Sequence, residues 1–248
     1  MTALVDVDTV EQEAAVDAAE LAAFHEPFVR RAAMALDGAP AEEILRWALD
    51  RWHPSLVIAS SMGDTVLVDM AAKIRPGVPV MFVDTGYHFA ETIGTRDAVA
   101  WRYDVKLLSI TPKRTVEEQD AEFGPKLYER NPDLCCAMRK VRPLDEALRP
   151  YAAWASGARR SETSSRSGMG VVEWDGKRGL VKVNPLANWT DEQVEAYVEE
   201  HDLLVNPLLR DGYPSIGCAP CTRRVAPGED PRSGRWAGTS KIECGLHV

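Results

Sequence analysis

Leu56-Val57-Ile58-Ala59-Ser60-Ser61-Met62-Gly63-Asp64 is the stretch on which the fold turns. Its first four residues make an apolar run short enough for a buried strand, and the next five read as a turn. The turn opens a helical segment from Thr65 to Ile74, which Pro76-Gly77 breaks before a second strand candidate, Val80-Met81-Phe82-Val83. Strand, loop, helix and strand in that order form a β-loop-α-β unit.

Outward from this unit the alternation continues. Helical periodicity runs over Ala41 to Trp52 on one side; on the other a helix is expected around Glu91 to Trp101, then strands at Val105 to Ile110 and Tyr151 to Ala155. Repeated alternation predicts an α/β fold, a doubly wound, mostly parallel sheet with helices on both faces. Further on, Thr190 and Gln193 fit a capping box, while Trp189 and Val194 stand where a hydrophobic staple would pack, so a helix is expected near Asn188 to Glu200. The expected organisation is a peripheral acidic extension over residues 1–30, a nucleotide-binding domain over 31–211, and a C-terminal segment over 212–248. That last segment is rich in Gly, Pro and Arg, and reads as a mobile tail organised by ligands rather than by its own core.

The chain has 248 residues, of which 45% are hydrophobic and 27% charged, near the globular average, which disfavours general disorder. A net charge of -9 argues against broad nucleic-acid binding, so any anionic ligand must be met by local cations. The start carries no basic leader region, and no uncharged apolar run approaches the ~20 residues that span a bilayer. A cytoplasmic protein without membrane attachment is expected; homo-oligomers are left open.

In a doubly wound sheet, ligands sit beyond the carboxyl ends of strands, where helix-start N–H groups can receive phosphate. Ser60 to Asp64 occupies such a place, without the Lys-Ser/Thr ending of a Walker A loop or the glycine spacing of a dinucleotide fingerprint. The plain alternative is a Ser/Gly turn capping a helix. Asp84-Thr85-Gly86 makes a second loop on the same rim, with the same alternative.

Five cysteines, an odd number in a chain without an export signal, favour thiols, metal ligands or a nucleophile over a disulfide framework. Cys135 and Cys136 are adjacent, and Cys218-Ala219-Pro220-Cys221 forms a CxxC. The CxxC lets two sulfurs converge on one centre, and the vicinal pair can supply two more if the backbone between them bends. Three readings stay open: a four-cysteine metal site, a redox dithiol, and inert buried thiols. Spacing does not choose between zinc and an iron–sulfur cluster. Cys244 stands apart near the terminus, in Glu243-Cys244-Gly245-Leu246-His247.

At Cys135-Cys136, Cys218-x-x-Cys221 and the ending Glu243 to His247, the sequence resembles the assimilatory adenosine 5′-phosphosulfate reductases. The likeness runs from about Ser55 to His247 and includes Asp84 to Phe89, Glu118-Gln119 through Gly124, Arg139-Lys140, Trp154 to Arg160, Gly217 to Arg223 and Arg232-x-x-Arg235-Trp236. The resemblance implies an adenine nucleotide alpha hydrolase-like, pyrophosphatase-loop-like domain with a [4Fe–4S] cluster beside the substrate. Carried over by motif, Cys135, Cys136, Cys218 and Cys221 are the expected cluster ligands, and Cys244 is the expected nucleophile. Lys140, Arg166, Arg232 and Arg235 match positions that hold phosphosulfate, with Lys140 linking cluster and substrate. Ser60, Val83 and Gly157 fall where the family contacts the nucleotide, the latter two through backbone atoms, and His247 is expected to reach the phosphosulfate when the tail closes. Thioredoxin is the expected reductant. Ser61-Met62-Gly63 and Ser161-Glu162-Thr163 depart from the family's usual residues. Three rivals remain: the reductase of the 3′-phosphorylated nucleotide, which generally lacks the four cysteines; a tRNA thiolation enzyme, which would keep a fuller Ser-Gly-Gly-x-Asp-Ser loop; and a non-catalytic iron–sulfur protein, which leaves Cys244 unexplained.

Overall fold

A computed structural model describes residues 25–239, 241 and 243–246. Most of the expected acidic extension, up to residue 24, and His247 lie outside the described residues. Residues 25–36 are helical, and Val29 and Leu36 of this helix are buried in the core, so residues 25–30 pack with the domain that follows. Helix α1 (Ala41–Trp52) buries Ala41, Ile44, Leu45, Ala48 and Leu49, the spacing of a single helical face.

Strand β1 (Leu56–Ala59), helix α2 (Val66–Ile74) and strand β2 (Val78–Val83) form the anticipated unit. Helix α3 (Ala90–Arg102) and strand β3 (Val105–Ile110) extend it. Helix α4 (Val116–Phe123) starts with a complete capping box between Thr115 and Glu118, not anticipated from the sequence. Asn131 caps helix α5 (Pro132–Cys136), accepting from the Leu134 N–H at 3.0 Å. A π turn over Ala137–Val141 joins it to α6 (Arg142–Leu148). Strand β4 (Ala153–Ser156) begins two residues later than expected.

Strands β5 (Val172–Asp175) and β6 (Leu180–Val183) form an antiparallel hairpin that the reading above did not include. The signal was present: Asp175-Gly176 opens the turn, and Gly179, at φ +68°, takes the left-handed position that lets Arg178 and Gly179 N–H reach the Asp175 carbonyl at 3.0 and 2.8 Å. Helix α7 (Asp191–Glu200) carries the expected Thr190–Gln193 capping box.

The sheet order is β3-β2-β1-β4-β6-β5, parallel throughout except at edge strand β5. Both faces are covered. Leu56 and Ile58 of β1 point into one cluster with Ile44, Leu45 and Leu49 of α1, whereas Val57 points into the other with Leu144 and Leu148 of α6. The chain builds outward from β1 through β2 to β3, then returns to place β4 on the other side of β1. That reversal is the switch point where open α/β sheets bind ligands. Ser60, Val83 and Gly157 stand at the carboxyl ends of β1, β2 and β4 beside it. Among the described residues, no helix is long and apolar enough to cross a membrane.

Candidate functional site

The loop after β1 is held from two sides. The Met62 N–H donates to Ser60 Oγ at 3.2 Å, and Asp64 accepts from the Val66 N–H at 3.2 Å, a turn-making bond at the start of α2, whose N-cap residue is Thr65. Met62 sits fully buried at φ +59°, a left-handed conformation costly for a non-glycine residue unless its surroundings enforce it. Asn206 enforces it: its backbone N–H donates to Gly63 O at 2.7 Å, and its buried amide donates to Met62 O at 3.2 Å and Thr92 Oγ1 at 2.9 Å. Nothing in the sequence pattern singled out Asn206. On the second loop, Asp84 accepts from the Gly86 N–H at 3.0 Å and pairs with Arg96 at 3.3 Å, again a turn-making role. The Val83 carbonyl accepts from His88 Nε2 at 3.0 Å.

From that second loop the chain reaches the cysteines. The His88 backbone pairs with Cys218, Tyr87 O accepts from the Ala219 N–H at 2.7 Å, and Thr85 Oγ1 lies 3.3 Å from Cys218 Sγ. Cys135, Cys136, Cys218 and Cys221 line one narrow recess with Tyr87, Pro132, Arg139, Lys140 and Trp236. The vicinal pair does not bend as the sequence reading required. Cys136 is regular helix at φ -63°, ψ -40°, and the departure comes just after it, in the π turn that carries Arg139 and Lys140.

Burial pushes the Cys135 thiol up to about 12, with Cys136, Cys218 and Cys221 adding repulsion, and pushes Cys221 up to about 11 with Cys218 and Cys136 as its neighbours. Four sulfurs so placed disfavour free thiolates; an iron or zinc centre would supply the missing positive charge. Among the described residues, no three Cys, His, Asp or Glu side chains converge closely enough to hold a single metal ion.

Arg139 was legible only as part of a motif, yet it anchors this region. Buried to 4% exposure, it donates from Nε to Thr85 O and from Nη1 to Gln119 Oε1 and the Arg114 carbonyl, both at 3.3 Å, and its guanidinium lies 5.2 Å from the Tyr87 ring. Lys140 is buried; burial opposes its charge, but Cys218, Cys244 and Cys136 more than offset it and hold its pKa above the usual lysine value.

The terminal segment closes this arrangement. The Trp236 N–H donates to Cys221 O at 3.0 Å, and Thr222 bridges to Arg235. Trp236 is itself buried at φ +48°, a second enforced left-handed residue. Arg235 donates to Ser215 Oγ at 3.3 Å and to Ile216 O at 3.2 Å, and stacks 4.4 Å from the Trp236 ring centroid; its buried Nε has no partner among the described residues. Burial lowers its pKa, while Cys244 works in the opposite direction. Arg166 and Arg232 meet at Glu243, and Leu246 packs against the α6-side core. The C-terminal segment therefore docks through backbone pairing and packing as well as through charge, more than its sequence pattern implied. Cys244, half-buried, stands among Lys140, Arg235 and Cys136.

Comparison with known proteins matches residues 54–224 to the phosphoadenosine phosphosulfate reductase domain. A Streptomyces coelicolor protein named adenosine 5′-phosphosulfate reductase is 58% identical over 88% of this chain and 92% of its own length. Proteins of the same name from Mycolicibacterium smegmatis and Mycobacterium tuberculosis are 57% and 53% identical over the same shares. Among solved structures, a phosphoadenylyl-sulfate reductase from Candida auris in a phosphate complex superposes with a TM-score of 0.70 at 33% identity, covering 79% of this chain and 96% of that one. Yeast FAD synthetase, at 14% identity and a TM-score of 0.55, shares the fold alone.

Proposed function

The chain belongs to the phosphoadenosine phosphosulfate reductase family, and on that premise we propose that it reduces adenosine 5′-phosphosulfate to sulfite and AMP in the cytoplasm, with Cys244 as the attacking thiol and thioredoxin as reductant. The observation that carries this reading is the division of the cysteines. Four line one buried recess, and the fifth stands outside it among cations.

Sulfate sulfur is shielded by negative oxygens, so a thiolate reaches it only where cations draw that charge off. Lys140, Arg166, Arg232 and Arg235 supply them in a chain that is acidic overall. The Cys244 thiolate attacks sulfur, the sulfur–oxygen bond to the phosphate breaks, and AMP departs with the electron pair. Cys244 is left as an S-sulfonate. A thiolate of the reduced carrier then attacks Cys244 Sγ and expels sulfite; the carrier's second thiol displaces Cys244, leaving the carrier oxidised by two electrons. Ser60 and the backbone of Val83 and Gly157, at the switch point, hold the nucleoside.

We assign Cys135, Cys136, Cys218 and Cys221 to a [4Fe–4S] cluster. Support comes from their shared recess and from the resemblance of the Cys135-Cys136 and Cys218-x-x-Cys221 motifs to those of the family. When bound, the cluster would balance the four thiolates with iron and leave a centre of net negative charge for Lys140 to face, a structural and electrostatic role, since the thiol steps already balance in electrons.

The test is anaerobic purification followed by turnover. Brown protein with about four irons that releases sulfite from adenosine 5′-phosphosulfate with thioredoxin, and works less well on the 3′-phosphorylated nucleotide, supports the reading. Stoichiometric zinc, or equal or faster turnover of the 3′-phosphorylated substrate, overturns the corresponding part.

A further inference from the structure

Glu243, the residue before the nucleophile, lies in the pocket assigned to the substrate's anion. One carboxylate oxygen lies 3.1 Å from Arg166 Nη2 and the other 3.3 Å from Arg232 Nη2. All three side chains are largely buried, at 12%, 11% and 17% exposure. Arg166 is also held by Glu162 at 2.5 Å on its other nitrogen, so it carries a carboxylate on each side. Thr163 Oγ1 approaches Glu243 Oε1 at 3.5 Å. The two arginines come from segments distant in sequence, and Glu243 bridges them as a two-oxygen anion would.

Two further observations suit an anion site. Among the described residues, Arg166 Nε and Arg235 Nε are buried donors without partners, and such groups are costly unless something satisfies them. Arg235 has no carboxylate partner among the described residues, only the Ser215 hydroxyl and the Ile216 carbonyl. Among the described residues, Glu162 and Glu243 are the carboxylates paired with Arg166 and Arg232, and neither pairs with Arg235.

We infer that Glu243 is a positioning residue that stands in for the phosphosulfate: it docks the terminal segment on Arg166 and Arg232 when substrate is absent, and substrate displaces it. This rests on the anion-pocket reading of those arginines given above. The guanidinium N–H groups that Glu243 occupies cannot at the same time bind phosphosulfate oxygens, and a retained carboxylate would repel the incoming anion in a poorly solvated site. Because Glu243 is covalently next to Cys244, its release repositions the nucleophile as substrate arrives. Gly245, at φ +81°, and the packing of Leu246 give the segment a pivot beyond Cys244.

The test uses the cluster-loaded enzyme and ADP, whose diphosphate resembles phosphosulfate without reacting at sulfur. Glu243→Gln keeps the shape and removes the charge. ADP should bind this variant about tenfold more tightly than wild type, the order of one charge-assisted hydrogen bond no longer competed for. A second readout needs no binding curve: iodoacetamide labelling of Cys244, located by mass spectrometry. Sulfate should accelerate labelling of wild type relative to chloride at equal ionic strength, and Glu243→Gln should label fast without it. A side chain that only stabilised the fold would not give this anion-specific pattern. ADP binding that the variant leaves unchanged or weakens, or labelling indifferent to sulfate, overturns this inference alone. If wild type fails to bind ADP, or binds it regardless of Arg232→Ala, the anion-pocket reading falls and takes the inference with it.

Discussion

Gly217→Ala should cripple substrate capture without replacing any group that meets the substrate. A Cβ at residue 217 would lie 2.2 Å from Nη2, 2.5 Å from Cζ and 3.0 Å from Nε of Arg235. Non-bonded contacts settle near ~3.5 Å, so the guanidinium must retreat by about 1.3 Å or more. The retreat breaks its bonds to Ser215 and Ile216 and its stack on Trp236. Arginine is flexible, so the fold tolerates the move; the site does not. Losing one charge-assisted hydrogen bond to the phosphosulfate costs about 1.5–3 kcal/mol. That is roughly a 10- to 150-fold fall in kcat/KM. Steady-state sulfite release with saturating thioredoxin measures it, and the thermal transition by circular dichroism checks that the fold survives. The double variant with Arg235→Ala should lose no more than Arg235→Ala alone, because both act through one guanidinium. A kcat/KM within about twofold of wild type, or losses that add in the double variant, would refute this account of Gly217.

Cys244→Ser should bind nucleotide and keep the cluster, yet gain no S-sulfonate by intact-protein mass spectrometry after mixing with substrate without thioredoxin, because a hydroxyl is far less acidic than a thiol; a sulfonate on another cysteine would place the nucleophile elsewhere. His88 has its pKa lowered first by burial, with Lys140 and Arg96 contributing and the Val83 carbonyl opposing. The unfolded chain therefore takes up this proton at higher pH than the folded one does, and stability should fall as pH drops below the ordinary histidine value. In urea titrations His88→Gln should show a flatter dependence over that window, and an unchanged slope would remove His88 as the cause. Thr190→Ala removes the hydroxyl that caps α7 and should cost about 1 kcal/mol, lowering Tm by roughly 2–4 °C; no shift would mean that tertiary packing alone holds that helix.

The doubly wound sheet was legible because its strands are short apolar runs separated by strong breakers, Ser60 to Asp64 and Pro76-Gly77 among them. The hairpin of β5 and β6 was readable from Asp175-Gly176 but was passed over, since Val172 to Asp175 mixes charge with apolar residues in an edge strand only half buried. The four cysteines announced themselves by type and spacing. Asn206 and Arg139 did not, because their importance comes from carbonyls that only the fold brings to them: Met62 O for one, Thr85 O and Arg114 O for the other. Glu243 stood inside a quoted motif without a role, since pairing it with Arg166 requires closing a loop of nearly eighty residues that no local pattern encodes.

The π turn between Cys136 and Arg142 bears on which changes of chain length this protein can survive. Such a turn is an α-helix with one residue too many, and each residue of a helix advances the chain by about 100° around its axis. A π turn absorbs that residue and leaves the flanking helices nearly in phase, so removing Ala137 would let regular winding resume with Cys135 and Cys136 still close to their present facing relative to Leu144 and Leu148 of α6. The change would fall on the turn itself, where Arg139 and Lys140 sit. A residue inserted into the regular helix on either side has no such slack and would swing the cysteine pair by about 100° relative to α6. The interval between the vicinal cysteines and Pro143 is thus a ruler that should tolerate shortening by one residue far better than lengthening by one.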